Sequence, residues 1–260
     1  MKLQVLVAAV NQDVDQLADR MGLTSEALIV NQCDHYGYRE YQHKGKKIRC
    51  FSMAERGVGL NRNTALERAD GDICLFSDED IVLDPGYEEA VLKAFADHPK
   101  ADIITFNFRV DASRATYHNA AWKRIRWYNY GRYPTYAVAA KREALHRVNV
   151  GFSLLFGGGA RYSNGEDSLF LHDCLKKGLR LIASPVCIGQ EVYRESTWFR
   201  GYNDKFFVDR GVLYHHLYGV MAKPFSLRFL AAHKGEMLKE TGFGKAYRLM
   251  KQGIKEGKGI

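Results

Sequence analysis

The sequence predicts an α/β fold, with a mainly parallel central sheet flanked by helices and a helical C-terminal tail. Over the first 110 residues, short apolar runs with many β-branched residues alternate with segments of helical composition, as in sheets that carry helices on both faces. Polar residues follow several of these runs, at the edge where open parallel sheets bind ligands. After residue 220, lysines and arginines are interspersed with apolar residues, as in basic amphipathic helices.

The predicted strands are short segments rich in apolar residues, and the first is a continuous apolar run, the pattern of a strand that is buried on both faces. They span Leu3–Val10, 27–30, 47–51, 72–76 and 102–108. Helical composition is found at 11–20, 61–69, 86–96 and 168–177. Pro85 supports the third of these helices, because proline is tolerated in the first helical turn. We expect one compact domain over 1–220 and a basic helical extension over 221–260. Within the domain, the composition becomes rich in Arg, Tyr and Trp after about residue 110.

The composition excludes several classes of protein. With 260 residues, of which 46% are apolar and 26% charged, the chain can bury a globular core, unlike collagen-like, coiled-coil or disordered chains. Five cysteines are an odd number without a C-x-x-C pair, which argues against a disulfide framework or a zinc ribbon and for a reducing cytoplasm. We expect no signal segment and no transmembrane helix, since no run reaches the roughly 18 apolar residues that such a span needs.

Basic residues exceed acidic ones, with 38 Lys and Arg against 30 Asp and Glu and a net charge of +8. An excess of this size is compatible with nucleic acid, an anionic membrane surface or a phosphorylated substrate as partner. Most of the excess lies in residues 221–260, which hold nine basic residues against three glutamates.

Three adjacent carboxylates, Asp78, Glu79 and Asp80, follow the fourth predicted strand. Their mutual repulsion is relieved by a hard cation, and Mg²⁺ or Mn²⁺ commonly bridges such carboxylates to substrate phosphates. The alternative interpretation is a polar turn that leads to the helix after Pro85.

Glycines and an arginine precede and begin the second predicted helix, in the segment 57–63. Gly57 and Gly59 would let the backbone approach a phosphate, and the guanidinium of Arg62 could bind it in a forked geometry. The segment is neither a P-loop nor a dinucleotide fingerprint. A flexible loop with a surface arginine is the alternative interpretation.

The third motif is the acidic pair Glu166-Asp167, which follows Gly165 at a predicted helix start. A carboxylate in this position can be an ordinary N-cap. It can also act as a general base, if it lies within hydrogen-bonding reach of an acceptor hydroxyl.

Taken in this order, the three motifs resemble those of bacterial family 2 glycosyltransferases of the GT-A fold, a Rossmann-like fold. The resemblance is carried by the segment 56–80, with its glycine loop, Arg-Asn pair, Ala-x-Gly and Asp-x-Asp, and by Glu166-Asp167 some 80 to 100 residues further on. It implies a nucleotide-sugar-binding half over 1–110 and an acceptor-binding half over 111–220.

The resemblance also implies roles for single residues. The nucleotide would lie against the end of the first strand and Asp34, beside Arg62 and Asn63, and Asp78 would contact the ribose. Asp80 would bind the divalent cation with Asp78, and Glu79 adds a negative charge to this donor site. Asp167 would be the catalytic base, with Glu166 beside it. The residues implied at the end of the first strand are Ala9, Val10 and Asn11.

Some positions depart from the family pattern. The first strand lacks the usual Pro-x-Tyr, and Gly59 stands where serine is common. The Gln-x-x-Arg-Trp motif of processive polymer synthases is absent from the sequence, which favours transfer of a single sugar. The implied reaction is a metal-assisted, inverting displacement that moves one sugar from a nucleotide sugar, expected to be UDP-linked, to a hydroxyl of a saccharide or lipid-linked saccharide.

Weaker signals concern the acceptor, the metal and the membrane. Aromatic residues Trp127, Trp198 and Phe199 could line an acceptor cleft, or pack in the core. One of the adjacent histidines His215 and His216 could be a further metal ligand, or both could belong to an ordinary helix. The basic tail 221–260 could lie on an anionic membrane at the inner face of the cell membrane, or pack on the sheet and expose its lysines.

Two other functions were weighed against this one. A sugar nucleotidyltransferase shares the sheet, but its glycine-rich loop should follow the first strand, where Asn11–Val14 contains no glycine. A nucleic-acid-binding protein would explain the positive charge and leave the carboxylate clusters without a purpose, so we expect no nucleic-acid partner.

Overall fold

The structure is a computed structural model that describes residues 1–112, 115–192 and 201–260. Within these residues the chain forms one mixed sheet of ten strands, in the order β3-β4-β2-β1-β5-β9-β7-β10-β6, with β8 beside β10. The strands are β1 (Leu3–Val10), β2 (Glu26–Gln32), β3 (Gly37–His43), β4 (Lys46–Met53), β5 (Ile73–Asp78), β6 (Ile81–Leu83), β7 (Ile103–Arg109), β8 (Lys123–Arg124), β9 (Val138–Lys141) and β10 (Leu181–Glu191).

Helices cover both faces of this sheet and form a separate cluster at the C-terminus. They are α1 (Val14–Arg20), α2 (Val58–Arg68), α3 (Tyr87–Asp97), α4 (Arg142–Val148), α5 (Glu166–Lys176), α6 (Asp204–Tyr218), α7 (Ala222–Ala232) and α8 (Phe243–Gly257). Alternation along β1 divides the core between the two faces: Val5 and Val7 pack in the cluster that contains α1 and α3 residues, whereas Leu6 packs in the cluster that contains α2 and α5 residues.

The predicted α/β class is confirmed, and all five predicted strands are present. Strands β4, β2, β1 and β5 are parallel neighbours, and β10 runs parallel to β7. The sheet is less uniform than predicted because β9 inserts antiparallel between β5 and β7. The sequence analysis also missed β3, which pairs with β4 in a hairpin. Its residues are mostly exposed, so it lacks the apolar run by which the other strands were found.

The C-terminal helices pack closely on one another. Gly211 of α6 lies against the backbone of Met250, and Gly253 of α8 lies against the backbone of Val208. Buried side chains from α6, α7 and α8, among them Phe207, share one apolar cluster. The boundary expected at residue 220 falls between α6 and α7 and stays a prediction. Among the described helices, none is both long enough and apolar enough to cross a bilayer.

Candidate active site

The carboxyl ends of β1, β2 and β5 form the edge at which the predicted donor residues lie. Ala8 of β1 is in register with Asp78 of β5, and Val10 is in register with Gln32 of β2. Asn11 follows with φ +50°, in the left-handed region that asparagine tolerates better than most residues, and its N–H donates to the Gln32 carbonyl. The chain therefore turns sharply at the point where the first strand leaves the sheet.

Helix α2 begins at this edge and is held there by buried polar contacts. The Asn61 side chain donates to the carbonyl oxygen of Val30 at 2.8 Å, and the Gln32 side chain donates to that of Gly57 at 3.1 Å. A Cβ atom on Gly59 would overlap the carbonyl oxygen of Ser153. This close approach of two backbones explains why glycine stands where the family often has serine.

Arg62 joins the three predicted acidic groups. Its Nη2 atom lies 3.0 Å from Asp78 Oδ1, and its Nη1 atom lies 3.0 Å from Asp167 Oδ1 and 3.3 Å from Glu166 Oε1. The arginine side chain is only 6% exposed, and its guanidinium lies over the ring of Phe152. The motifs at the end of β5 and the start of α5 therefore meet around one buried cation.

The electrostatics of this cluster follow from burial and mutual charge. Burial raises the pKa of Glu166 to about 7, and the neighbouring Asp167 charge adds to the rise. Burial alone would lower the pKa of Arg62, but Asp78, Asp167 and Glu166 together raise it well above its ordinary value. The arginine is thus held in its charged form, while Glu166 titrates near neutral pH.

Asp167 has a second partner that the sequence analysis missed. The hydroxyl of buried Thr135 donates to Asp167 Oδ1, the same oxygen that Arg62 contacts. Thr135 lies in a short 3₁₀ turn, Thr135–Ala137, just before β9. A single threonine in an aromatic segment has no local pattern that would mark it, so only its position in the fold reveals the contact.

The loop that precedes Glu166 is fastened to helix α6 by Asp209, another residue that the sequence analysis missed. Asp209 is 3% exposed, and its Oδ2 atom accepts hydrogen bonds from the Ser163 N–H and hydroxyl, both at 3.0 Å. Lys205 neutralises this carboxylate. Gly165 has φ +117° and lies against Leu213 of the same helix. Helix α6 therefore helps to fix the start of α5.

Glu79 and Asp80 occupy different surroundings although they are adjacent. Glu79 Oε2 accepts from the Val10 N–H at 2.6 Å, which directs this carboxylate toward the end of β1. The Asp80 carbonyl accepts from the Val192 N–H. Carboxylate oxygens are ligands that Mg²⁺ and Mn²⁺ accept, and a cation held by Asp78 would share that carboxylate with Arg62, which contacts both of its oxygens.

Asp34 and Asn63 have other partners than the Arg62 cluster. The Asp34 carboxylate is 93% exposed and 2.9 Å from His35 Nδ1, a contact that lowers its pKa. Among the described residues, the ligand atoms of Cys33, Asp34 and His35 also lie within 4.8 Å of one another. The Asn63 side chain exchanges two hydrogen bonds with the backbone of Phe152 and so braces the loop under Arg62.

The remaining predicted residues make contacts with other parts of the chain or cannot be placed. Trp127 is exposed, edge-on to Tyr128. His215 lies against Gly257 of α8, whereas the ring of His216 meets Phe156 edge-on, so the two histidines face different neighbours, as their helical spacing predicts. Trp198 and Phe199 lie outside the described residues.

Comparison with known proteins identifies the family. The model for glycosyl transferase family 2 matches residues 8–156, more than half of the 260-residue chain. The chain belongs to this family, so the resemblance seen in its motifs is confirmed: it is a glycosyltransferase of the GT-A fold that uses a nucleotide sugar. Among curated protein sequences, none matches the chain significantly.

Solved structures are similar in fold. The S. aureus TarS structure of residues 1–349 superposes with a TM-score of 0.63 at 13% identity, over 98% of this chain and 82% of that one. The same fragment in complex with UDP-GlcNAc gives a TM-score of 0.60 at 15% identity, over 90% and 72%. The mannosyltransferase PcManGT from Pyrobaculum calidifontis, in complex with GDP-Man and Mn²⁺, gives 0.51 at 16% identity, over 97% and 69%.

Proposed function

We propose that this enzyme transfers one sugar, with inversion, from a UDP-linked donor to a hydroxyl of a saccharide or lipid-linked saccharide, with Asp167 as the general base. The observation that carries the proposal is the Arg62 cluster, which joins Asp78 at the sheet edge to Asp167 at the start of α5. A nucleoside diphosphate sugar bound along that edge would have its sugar beside the Arg62 guanidinium, near both carboxylates.

The geometry of Asp167 suits it to accept a proton. Arg62 and Thr135 both contact its Oδ1 atom, so Oδ2 is the oxygen that would receive the proton of the acceptor hydroxyl. That hydroxyl then attacks the anomeric carbon as the bond to the diphosphate breaks. A single displacement of this kind inverts the anomeric configuration and needs no covalent sugar–enzyme intermediate.

The leaving diphosphate gains negative charge that must be neutralised. Asp80 and Asp78 would hold a divalent cation, Mn²⁺ or Mg²⁺, which when bound supplies Lewis-acid stabilisation of that charge. The oxygen donors of these residues fit such an ion, and PcManGT was solved with Mn²⁺. Arg62 adds a fixed positive charge beside Asp78, whichever cation is present.

The donor site would use the residues at the ends of β1 and β2. Ala9, Val10 and Asn11 would present backbone groups to the base, and Asp34 would accept from the uracil ring, with Asn63 and Glu79 supporting the loops around the pyrophosphate. A UDP donor is favoured by the likeness in fold to TarS, which was solved with UDP-GlcNAc.

A thermal-shift screen with UDP-, GDP- and TDP-sugars, with and without Mn²⁺, tests donor use, because a ligand that binds the native state raises the melting temperature. We expect the largest shift with a UDP-sugar plus Mn²⁺. The absence of any nucleotide-specific shift contradicts the proposal. Asp167→Asn should keep the donor shift and lose transfer, and NMR of the product should show the inverted anomer.

We further propose that the C-terminal extension contacts an anionic membrane at the inner face of the cell membrane. Val220 is 96% exposed and precedes exposed Met221 and Lys223, an apolar and basic combination suited to a lipid surface. Flotation with vesicles containing anionic phospholipid tests this. Wild-type protein should float and a Val220→Ser/Met221→Ser variant should float less; equal behaviour of the two contradicts it.

A further inference from the structure

A cleft with a volume of about 310 Å³ lies between the segment 127–132 and the C-terminal helices α6 and α7. Its lining is dominated by aromatic side chains, two of which are largely exposed: Trp127 is 67% and Tyr128 is 63% exposed. On the opposite wall, Tyr218 and Phe225 stack with their ring centroids 4.2 Å apart. Large exposed aromatic rings that converge on one concavity are typical of ligand sites.

The cleft adjoins residues 163–167, which we term the catalytic loop because they include the proposed base Asp167. Gly131, in its wall, lies beside the Ser168 hydroxyl, and Ser168 directly follows Asp167 in α5. The same segment continues to Thr135, which donates to Asp167. The segment that forms one wall of the cleft therefore also contacts the start of α5, next to the proposed base.

The charge in the cleft is positive. Arg132, Arg228 and His233 contribute to its lining, and none of the described lining residues is acidic. Both arginines are exposed, and neither has a carboxylate partner within the described part of the chain. Their guanidinium groups are thus available for a ligand.

A further arginine lies beneath the aromatic wall. The guanidinium carbon of Arg210 is 5.3 Å from the ring centre of Phe206 and 5.2 Å from that of Phe229. Its Nε atom is buried and has no hydrogen-bond partner in the described chain. Burial lowers the pKa of Arg210, and the tyrosines Tyr214, Tyr218 and Tyr202 oppose that shift. No carboxylate of the described residues forms an ion pair with this arginine, which adds a positive charge beneath the cleft.

We infer that this cleft binds a saccharide chain that carries phosphate or carboxylate groups, as the acceptor subsite beyond the reacting hydroxyl. Aromatic rings stack against the apolar faces of sugars while leaving their hydroxyls in water, and arginine binds phosphate or carboxylate in a forked geometry. The inference rests on the proposed function, because it takes the cleft ligand to be the acceptor.

Isothermal titration calorimetry with three probes tests the ligand class. The probes are maltohexaose, which is neutral, a hyaluronan hexasaccharide, which carries carboxylates, and pentamannosyl phosphate, which carries a phosphate. We expect at least one anionic probe to bind roughly tenfold or more tightly than maltohexaose, as charge-assisted hydrogen bonds require. Equal binding of all three, or none, overturns the inference.

Variants assign the binding to the cleft. We expect binding of the anionic probe to weaken by roughly tenfold in the double variant Arg132→Gln/Arg228→Gln and in the single variant Trp127→Ala. All three side chains are exposed, so their replacement should not unfold the protein. The matched control Lys100→Gln/Lys177→Gln removes two exposed charges outside the cleft and outside the basic tail and should change the affinity less than about twofold. If the control weakens binding as much as the arginine pair, binding is nonspecific and the inference fails.

The donor thermal shift, measured on the same preparations, separates this inference from the proposed function. A normal UDP-sugar shift without any anionic-saccharide binding leaves the proposed function standing and removes the cleft assignment. If Arg132→Gln/Arg228→Gln abolishes flotation with anionic vesicles and leaves saccharide binding unchanged, the cleft binds lipid and the inference is wrong.

Discussion

The guanidinium of Arg62 lies 3.0 Å from the carboxylate of Asp167, a residue 105 positions later in the chain. The same guanidinium holds Asp78 with its other terminal nitrogen. One side chain on α2 thus sets the separation between the sheet edge and the start of α5.

Removal of the Arg62 guanidinium should destabilise the fold. Arg62→Met leaves Asp78, Glu166 and Asp167 close together without their counter-ion, so the free energy of unfolding should fall by about 3–5 kcal/mol, as measured by urea denaturation. Arg68→Met, an exposed position on the same helix, should cost less than about 1 kcal/mol. If the two variants lose the same stability, the central role of Arg62 is wrong.

Glu166 should make stability depend on pH near neutrality. Its folded-state pKa is raised to about 7 from 4.5, so its contribution to stability is complete below about pH 4.5 and is lost as the pH rises through 7. Between pH 5 and 8, wild-type protein should therefore lose roughly 2–3 kcal/mol of unfolding free energy relative to Glu166→Gln. Parallel stability–pH curves for the two proteins would contradict the assignment.

The hydroxyl of Thr135 should matter for turnover more than for donor binding. Thr135→Val keeps the shape of the side chain and removes the donor to Asp167, so kcat should fall about 10- to 100-fold, the equivalent of one hydrogen bond to a charged group. The KM for the donor should stay unchanged, and Thr135→Ser should retain most of the activity. Full activity of Thr135→Val would show that this contact is irrelevant to the base.

Asp209 should act on the catalytic loop through Ser163. Asp209→Ala leaves the Ser163 N–H without its partner, which should cost about 1–3 kcal/mol of unfolding free energy and lower kcat while the donor affinity is retained. Asp204→Ala removes an exposed carboxylate near the start of the same helix and serves as control. A loss of donor affinity equal to the loss of kcat would argue against a specific effect on the loop.

Two glycines of α8 allow a matched test of the C-terminal helix cluster. A methyl group at Gly253 would overlap the Val208 carbonyl, whereas Gly244 has no neighbour within 4 Å. Gly253→Ala should lower the free energy of unfolding by about 1–3 kcal/mol, and Gly244→Ala should leave it unchanged or raise it by up to about 1 kcal/mol. If α8 were a detached extension, both substitutions would be neutral or stabilising.

The sequence by itself determined the α/β class, the five buried strands and the family, because each of these is visible as a pattern of residues that are close together in the sequence. A buried strand is rich in apolar residues along a short segment of the chain. The residues of the motifs at 56–80 and 165–167 stand close together in the sequence, because each motif forms turns or strand ends. The sequence patterns of the antiparallel β9 and the exposed β3 are weaker. Strand β9 has only four residues, and most residues of β3 are exposed to solvent, so β3 has no apolar run.

The tertiary structure decided which residues meet. Thr135 and Asp209 carry no motif, and their contacts with the catalytic loop join segments that are 32 and 46 residues apart. Asn63 belongs to a motif, yet its side chain is committed to the backbone of Phe152. Side-chain partners of this kind depend on how elements pack across the core, and periodicity along the chain holds no information about them. Arg62 shows both contributions: its motif was visible in the sequence, and its three carboxylate partners became visible only when the sheet edge and α5 were brought together.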